Sequence, residues 1–121
     1  MNLTKLTKIL VELGVESKEV KDLQMAHNRY IRSAVDNRPA MSRINNFMED
    51  FRDEHGNELA DTAIAHGAIM HLTRANAKVS GKVKERIANS KEVQAYIVAF
   101  QSAPEKPEYD ELAVENEMFD L

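Results

Sequence analysis

His55, Glu58, Asp61, His66 and His71 fall within seventeen residues and include three of the chain's four histidines, side chains able to ligate a metal or move a proton. On a helix, ligands must be three or four positions apart to share a face. His66 and His71 are five apart, which turns them about 140° from one another. Glu58 and Asp61 do share a face, but neither histidine is one helical step from both. There is no His-Glu-x-x-His and no Glu-x-x-His pair, so no metal and no cofactor are expected. His27 falls between Leu23 and Ile31 on an apolar stripe. It could be a general base in a pocket, but a packed histidine bonded to a neighbouring helix is the favoured reading. The pairs Glu49/Asp53 and Glu16/Glu19 stand among polar or basic neighbours and read as solvated faces. The chain has no cysteine, no Gly-x-Ser-x-Gly elbow and no glycine-rich phosphate loop. Catalysis is therefore not expected.

Two basic sets could meet a nucleic acid. Ile9, Leu10, Gly14, Val15, Val20 and Leu23 have a spacing that resembles the bacterial helix-turn-helix pattern. That resemblance implies a turn at Gly14, a recognition helix anchored by Val20 and Leu23, and DNA-facing candidates at Ser17, Lys18, Lys21 and Asn28. Leu10 stands where the pattern has a small residue, and Glu16, Glu19 and Asp22 put negative charge where phosphates would lie. An ordinary helical hairpin has the same spacing. The second set is Arg74, Lys78, Lys82, Lys84 and Arg86, accompanied by one acid, Glu85. No aromatic residue interleaves it to stack on a base.

The C-terminal nineteen residues differ from the rest. They hold seven carboxylates and the single Lys106, with Tyr109, Leu112, Val114, Met118, Phe119 and Leu121 among them, and Pro104 and Pro107 set them apart. The whole chain has a formal net charge of −4, so the −6 of this segment leaves residues 1–102 at +2. Such a segment cannot bury enough apolar surface to fold alone. It reads as a flexible acidic-hydrophobic tail that Tyr109, Leu112, Met118, Phe119 and Leu121 would anchor in a partner protein's basic, apolar groove. Its ending Met-Phe-Asp-Leu resembles, in composition, the acidic–aromatic termini of single-stranded-DNA-binding proteins. The charge division also permits the tail to fold back on its own domain.

The elements beneath these residues read as helices almost throughout. A chain of 121 residues fits one domain that buries roughly two-thirds of its unfolded surface. Leu3, Leu6, Ile9, Leu10 and Leu13 form a first stripe. Ser17 is a plausible cap for a longer second helix that runs to Val35, and Pro39 suits the first turn of a third carrying Ile44, Met48 and Phe51. Asn57 can cap the fourth, from Glu58 to about Ala77, which is apolar on nearly every side. Its small face around Gly67 points to a central position or to a second copy of the chain. Asn89 and Glu92 have capping-box spacing for the last helix, along Val93, Tyr96, Ile97 and Phe100. The expected fold is all-α: a compact bundle of five to six helices over residues 1–102, with residues 103–121 as the tail. No run approaches a membrane span and no secretory leader is visible, so a soluble, cytoplasmic protein is expected.

Overall fold

Asn2 opens the first helix by accepting a hydrogen bond from the Lys5 amide at 3.1 Å. From there the computed structural model describes residues 2–35, 37–75 and 77–103. Seven helices follow in order: α1 (Leu3–Glu12), α2 (Ser17–Val20), α3 (Leu23–Ala34), α4 (Met41–His55), α5 (Asn57–Thr73), α6 (Gly81–Asn89) and α7 (Lys91–Gln101). There is no strand among the described residues. The all-α expectation is met, with more helices than expected because the long second helix breaks in two.

That break has a local cause. Asp22 adopts extended backbone and its carboxylate accepts from the Met25 amide at 3.1 Å, so it caps α3 where a continuous helix was expected. Extended backbone at Asp22 and α-helix through it are mutually exclusive. Other boundaries shift for similar reasons. Glu16, not Ser17, holds the cap position of α2. Pro39 lies before the cap residue Ala40 and is not in the first turn of α4. Asn57 is already helical, and its side chain accepts from Arg52 Nη1 at 3.1 Å. The cap of α7 is Ser90, whose hydroxyl accepts from the Val93 amide at 3.3 Å, in place of Asn89. Arg74 already has extended backbone, so α5 ends at Thr73, four residues short of Ala77.

Gly14 ends the first hairpin arm at φ +110°, a backbone state that only glycine adopts without strain. The turn lets the Val15 amide reach back to the Leu10 carbonyl at 3.0 Å and seats Val15 in the core. Helix α5 lies at the centre, in contact with α1, α3, α4, α6 and α7. Nine of its residues are buried, from Ala60 to Leu72. This accounts for its lack of a polar face: a helix covered all round has no side to give to water. The remaining helices place Leu6, Leu10, Ile31, Ile44, Ile87 and Val93 against it or its neighbours.

The small-residue face of α5 is taken by α3. His27 is fully buried, and a Cβ on Gly67 would stand 2.5 Å from its Cδ2. Glycine is the residue that lets the imidazole lie against the α5 backbone. This corrects the expectation of a second copy docking around Gly67, because that face is filled within the chain. Arg52 of α4 pairs with Asp61 of α5 at 2.9 Å, and the Tyr96 hydroxyl donates to the Asn2 carbonyl at 3.0 Å, tying α7 to the chain's start.

Candidate functional site

The four histidines are set far apart in their surroundings. His27 Nδ1 lies 3.1 Å from Asn28 Oδ1, which also accepts from Gln24 Nε2 at 2.8 Å, while Asn28 Nδ2 donates to Asn45 Oδ1. This chain of amides joins α3 to α4 and runs from the buried His27 and Asn28 out to the exposed Asn45. Burial pushes the His27 pKa down to about 4, only partly opposed by its bond to Asn28, so the ring is neutral around pH 7. His66 stacks on Phe100 with ring centroids 4.2 Å apart, joining α5 to α7, and burial lowers its pKa as well. His55 tilts against Phe51 at 4.5 Å. The His71 pKa is lowered first by burial and then by the nearby charges of Arg29 and Arg74. Among the described residues, no three His, Asp or Glu side chains are grouped to share an ion.

The basic residues singled out in the sequence are dispersed by the fold. Lys84 donates to the Arg74 carbonyl just past the end of α5, and Arg86 donates to the Leu13 carbonyl at the end of α1 at 3.5 Å. Both cations therefore satisfy carbonyls at helix C-termini. Lys18 pairs with Glu16 at 3.3 Å on the surface. Lys21, Lys78 and Lys82 are exposed. The helix that would read DNA in the hairpin is α2, four residues long, and Asn28 is buried on α3. Val15, Val20 and Leu23 are core residues. The tail anchors Tyr109, Leu112, Met118, Phe119 and Leu121 lie outside the described residues.

Two concave surfaces among the described residues flank the core. One, of about 440 Å³, lies between α5, α6 and α7, with Ile69, Met70, Ile87, Ala88 and Ile97 as its apolar lining and Lys84, Glu85 and Gln94 among its polar residues. The other, of about 420 Å³, lies where α3 gives way to α4 and is lined by Arg29, Arg32, Ser33, Arg38 and Met41. Beside it Arg74 donates to the Ser33 hydroxyl, its guanidinium 5.9 Å from the Tyr30 ring centre. Arg38 holds a left-handed backbone at φ +43°, unusual for a residue with a side chain.

This arginine cluster was missed in the sequence, although a signal was there. Arg29 and Arg32 have i, i+3 spacing, and residues 29–43 hold four arginines against the single Asp36. Residues 74–86, with five basic residues and the single Glu85, are the more conspicuous basic stretch. Comparison with known proteins gives no match: no family model, no curated protein and no solved structure is similar to this chain.

Proposed function

We propose that this protein is a non-catalytic helical interaction module, acting as a regulator, inhibitor or assembly accessory that engages a macromolecular partner through its acidic–aromatic C-terminal tail. The observation that carries this is the composition of the segment that follows α7. The core is assembled from α1 to α7, the last of which ends at Gln101. Seven carboxylates and six large apolar side chains follow. In the body, Val11, Met25 and Val98 are the large apolar side chains left exposed among the described residues. An acidic peptide with Tyr109, Leu112, Met118, Phe119 and Leu121 suits a basic surface that has apolar pockets. The carboxylates steer the encounter, and the aromatic and aliphatic groups supply the contact energy.

The test is affinity capture coupled to cross-linking mass spectrometry, with three forms of the chain: intact, truncated after Ala103, and Phe119→Ala/Leu121→Ala. A partner held by the intact chain and lost by both variants, at unchanged melting temperature, is the expected outcome. Identical capture by all three forms would remove the tail from the function. A large fall in melting temperature on truncation would make the tail part of the core.

A second reading, contact with nucleic acid, is favoured by the exposure of Lys21, Lys78 and Lys82 and by the arginines of the α3–α4 pocket. It predicts a shift of labelled duplex DNA at low salt that weakens with Lys78→Ala/Lys82→Ala and with added salt. No shift at low salt would dispose of it.

A further inference from the structure

We infer that the arginine pocket between α3 and α4 is the resting dock of this chain's own acidic tail, which a partner must displace. The inference rests on the tail being the partner-binding element and names how that element is held when no partner is present. Three guanidiniums, those of Arg29, Arg32 and Arg38, line one open concavity whose wall, among the described residues, holds no carboxylate. None of the three is ion-paired among the described residues. Guanidinium groups take carboxylates in paired, geometrically matched hydrogen bonds, which suits them to an acidic peptide. Met41 supplies an apolar wall beside them.

The occupant is named by charge and by reach. Residues 103–121 carry −6 and the body +2. The other concavity, between α5, α6 and α7, is a poorer match: Glu85 stands in its lining, and Lys84 is committed to the end of α5. The Phe100–His66 stack places the end of α7 beside the middle of α5, whereas Arg74 on Ser33 places the arginine pocket beyond α5's C-terminus. From His66 to Arg74 is about 12 Å of helix. Eighteen residues of chain extend to at most about 60 Å, so the tail reaches the pocket with length to spare. Attachment to the same chain then gives it an effective concentration that a separate acidic peptide lacks.

The chain contains no cysteine, so Ala113→Cys gives a single site for a nitroxide label on the tail. Amide spectra of this protein should show attenuation centred on residues 29–43. The attenuation should persist on dilution and disappear in 0.5 M salt, where the screening length falls to about 4 Å. It should also be lost in Arg29→Gln/Arg32→Gln/Arg38→Gln, a variant that keeps the fold's dispersion and melting temperature. The inference is overturned by absent attenuation, by attenuation along α6 and α7, or by attenuation seen only between molecules in a mixture of labelled and isotope-enriched chains. It is equally overturned if a short DNA duplex shifts residues 29–43 while the label reports no contact, because the arginines would then serve a phosphate backbone. Partner capture separates this from the proposed function. Capture that needs the tail, without attenuation, refutes only the latch. Attenuation with capture indifferent to the tail refutes only the function.

Discussion

Gly67→Ala is a sharp probe of the molecule's centre because one methyl group tests the α3–α5 contact. The new Cβ would lie 2.5 Å from His27 Cδ2, 3.2 Å from Cγ and 3.5 Å from the His27 Cα. His27 is fully buried, so its ring has no open space to swing into, and the two helices must separate or the ring leave its rotamer. Overpacking of this kind costs about 1–3 kcal/mol. Alanine recovers about 1 kcal/mol through its better helix propensity. The expected net loss is up to about 2 kcal/mol, a fall in melting temperature of up to roughly 10 °C for a domain of this size. Gly81→Ala is the control, since a Cβ there meets nothing within 4 Å and the backbone is not left-handed. It should be neutral or stabilising by about 0.5 kcal/mol. Urea unfolding of both variants, and of Gly67→Ala in a His27→Ala background, gives the readout. The reasoning fails if Gly67→Ala matches Gly81→Ala, or if it costs as much without the imidazole as with it.

Three further outcomes are expected. Stability should fall as pH drops from 6.5 to about 4, because the unfolded chain takes up a proton on His27 that the folded chain refuses until about pH 4; the linked loss is about 3 kcal/mol. The lowered pKa values of His66 and His71 act in the same direction, so urea midpoints of His27→Gln across this range should show a flattened, not abolished, slope. Asp22→Ala removes the side chain that accepts from the Met25 amide and should cost about 1 kcal/mol in thermal unfolding. Arg52→Ala breaks the 2.9 Å pair with Asp61 and the bond to Asn57; both partners of the pair keep some exposure, so the loss should stay within about 1 kcal/mol and shrink in high salt.

The fold's outline was legible because its signals are local. The stripe from Leu3 to Leu13 and the polar-poor stretch of α5 name their own faces whatever packs on them. The α2–α3 break was not legible, since Val20, Leu23, His27 and Ile31 keep helical spacing across it. The competing signal was Asp22, read as charge when it acts as a cap. The occupant of the Gly67 face was hidden for a different reason. Small side chains declare that something comes close, but His27 lies forty residues earlier and its burial depends on how α3 crosses α5. Lys84 and Arg86 misled in the opposite sense. As sequence they are a basic cluster, and only the positions of the Arg74 and Leu13 carbonyls reveal them as partners of helix ends.

Central burial of α5 also bears on where recognition can occur. A helix in contact with five others and buried at nine of its seventeen residues offers little surface, so contact with a partner falls mainly to the outer faces or the tail. On the outer faces, cations that bond to helix-end carbonyls have fewer donors to offer a ligand, whereas Arg29, Arg32 and Arg38 line a surface without such bonds among the described residues. An acidic tail attached to that surface sets up a competition. If the tail spends a fraction f of its time away from the arginines, a partner's apparent dissociation constant is the intrinsic one divided by f. The pairing is carried by exposed charges, so rising salt raises f and weakens the partner's own electrostatic attraction at the same time. The two effects oppose one another, and apparent affinity should therefore vary less with salt for the intact chain than for Arg29→Gln/Arg32→Gln/Arg38→Gln, in which only the second remains. Titrating one captured partner against both forms at several salt concentrations measures that difference, and equal slopes would mean that the arginines and the tail do not compete.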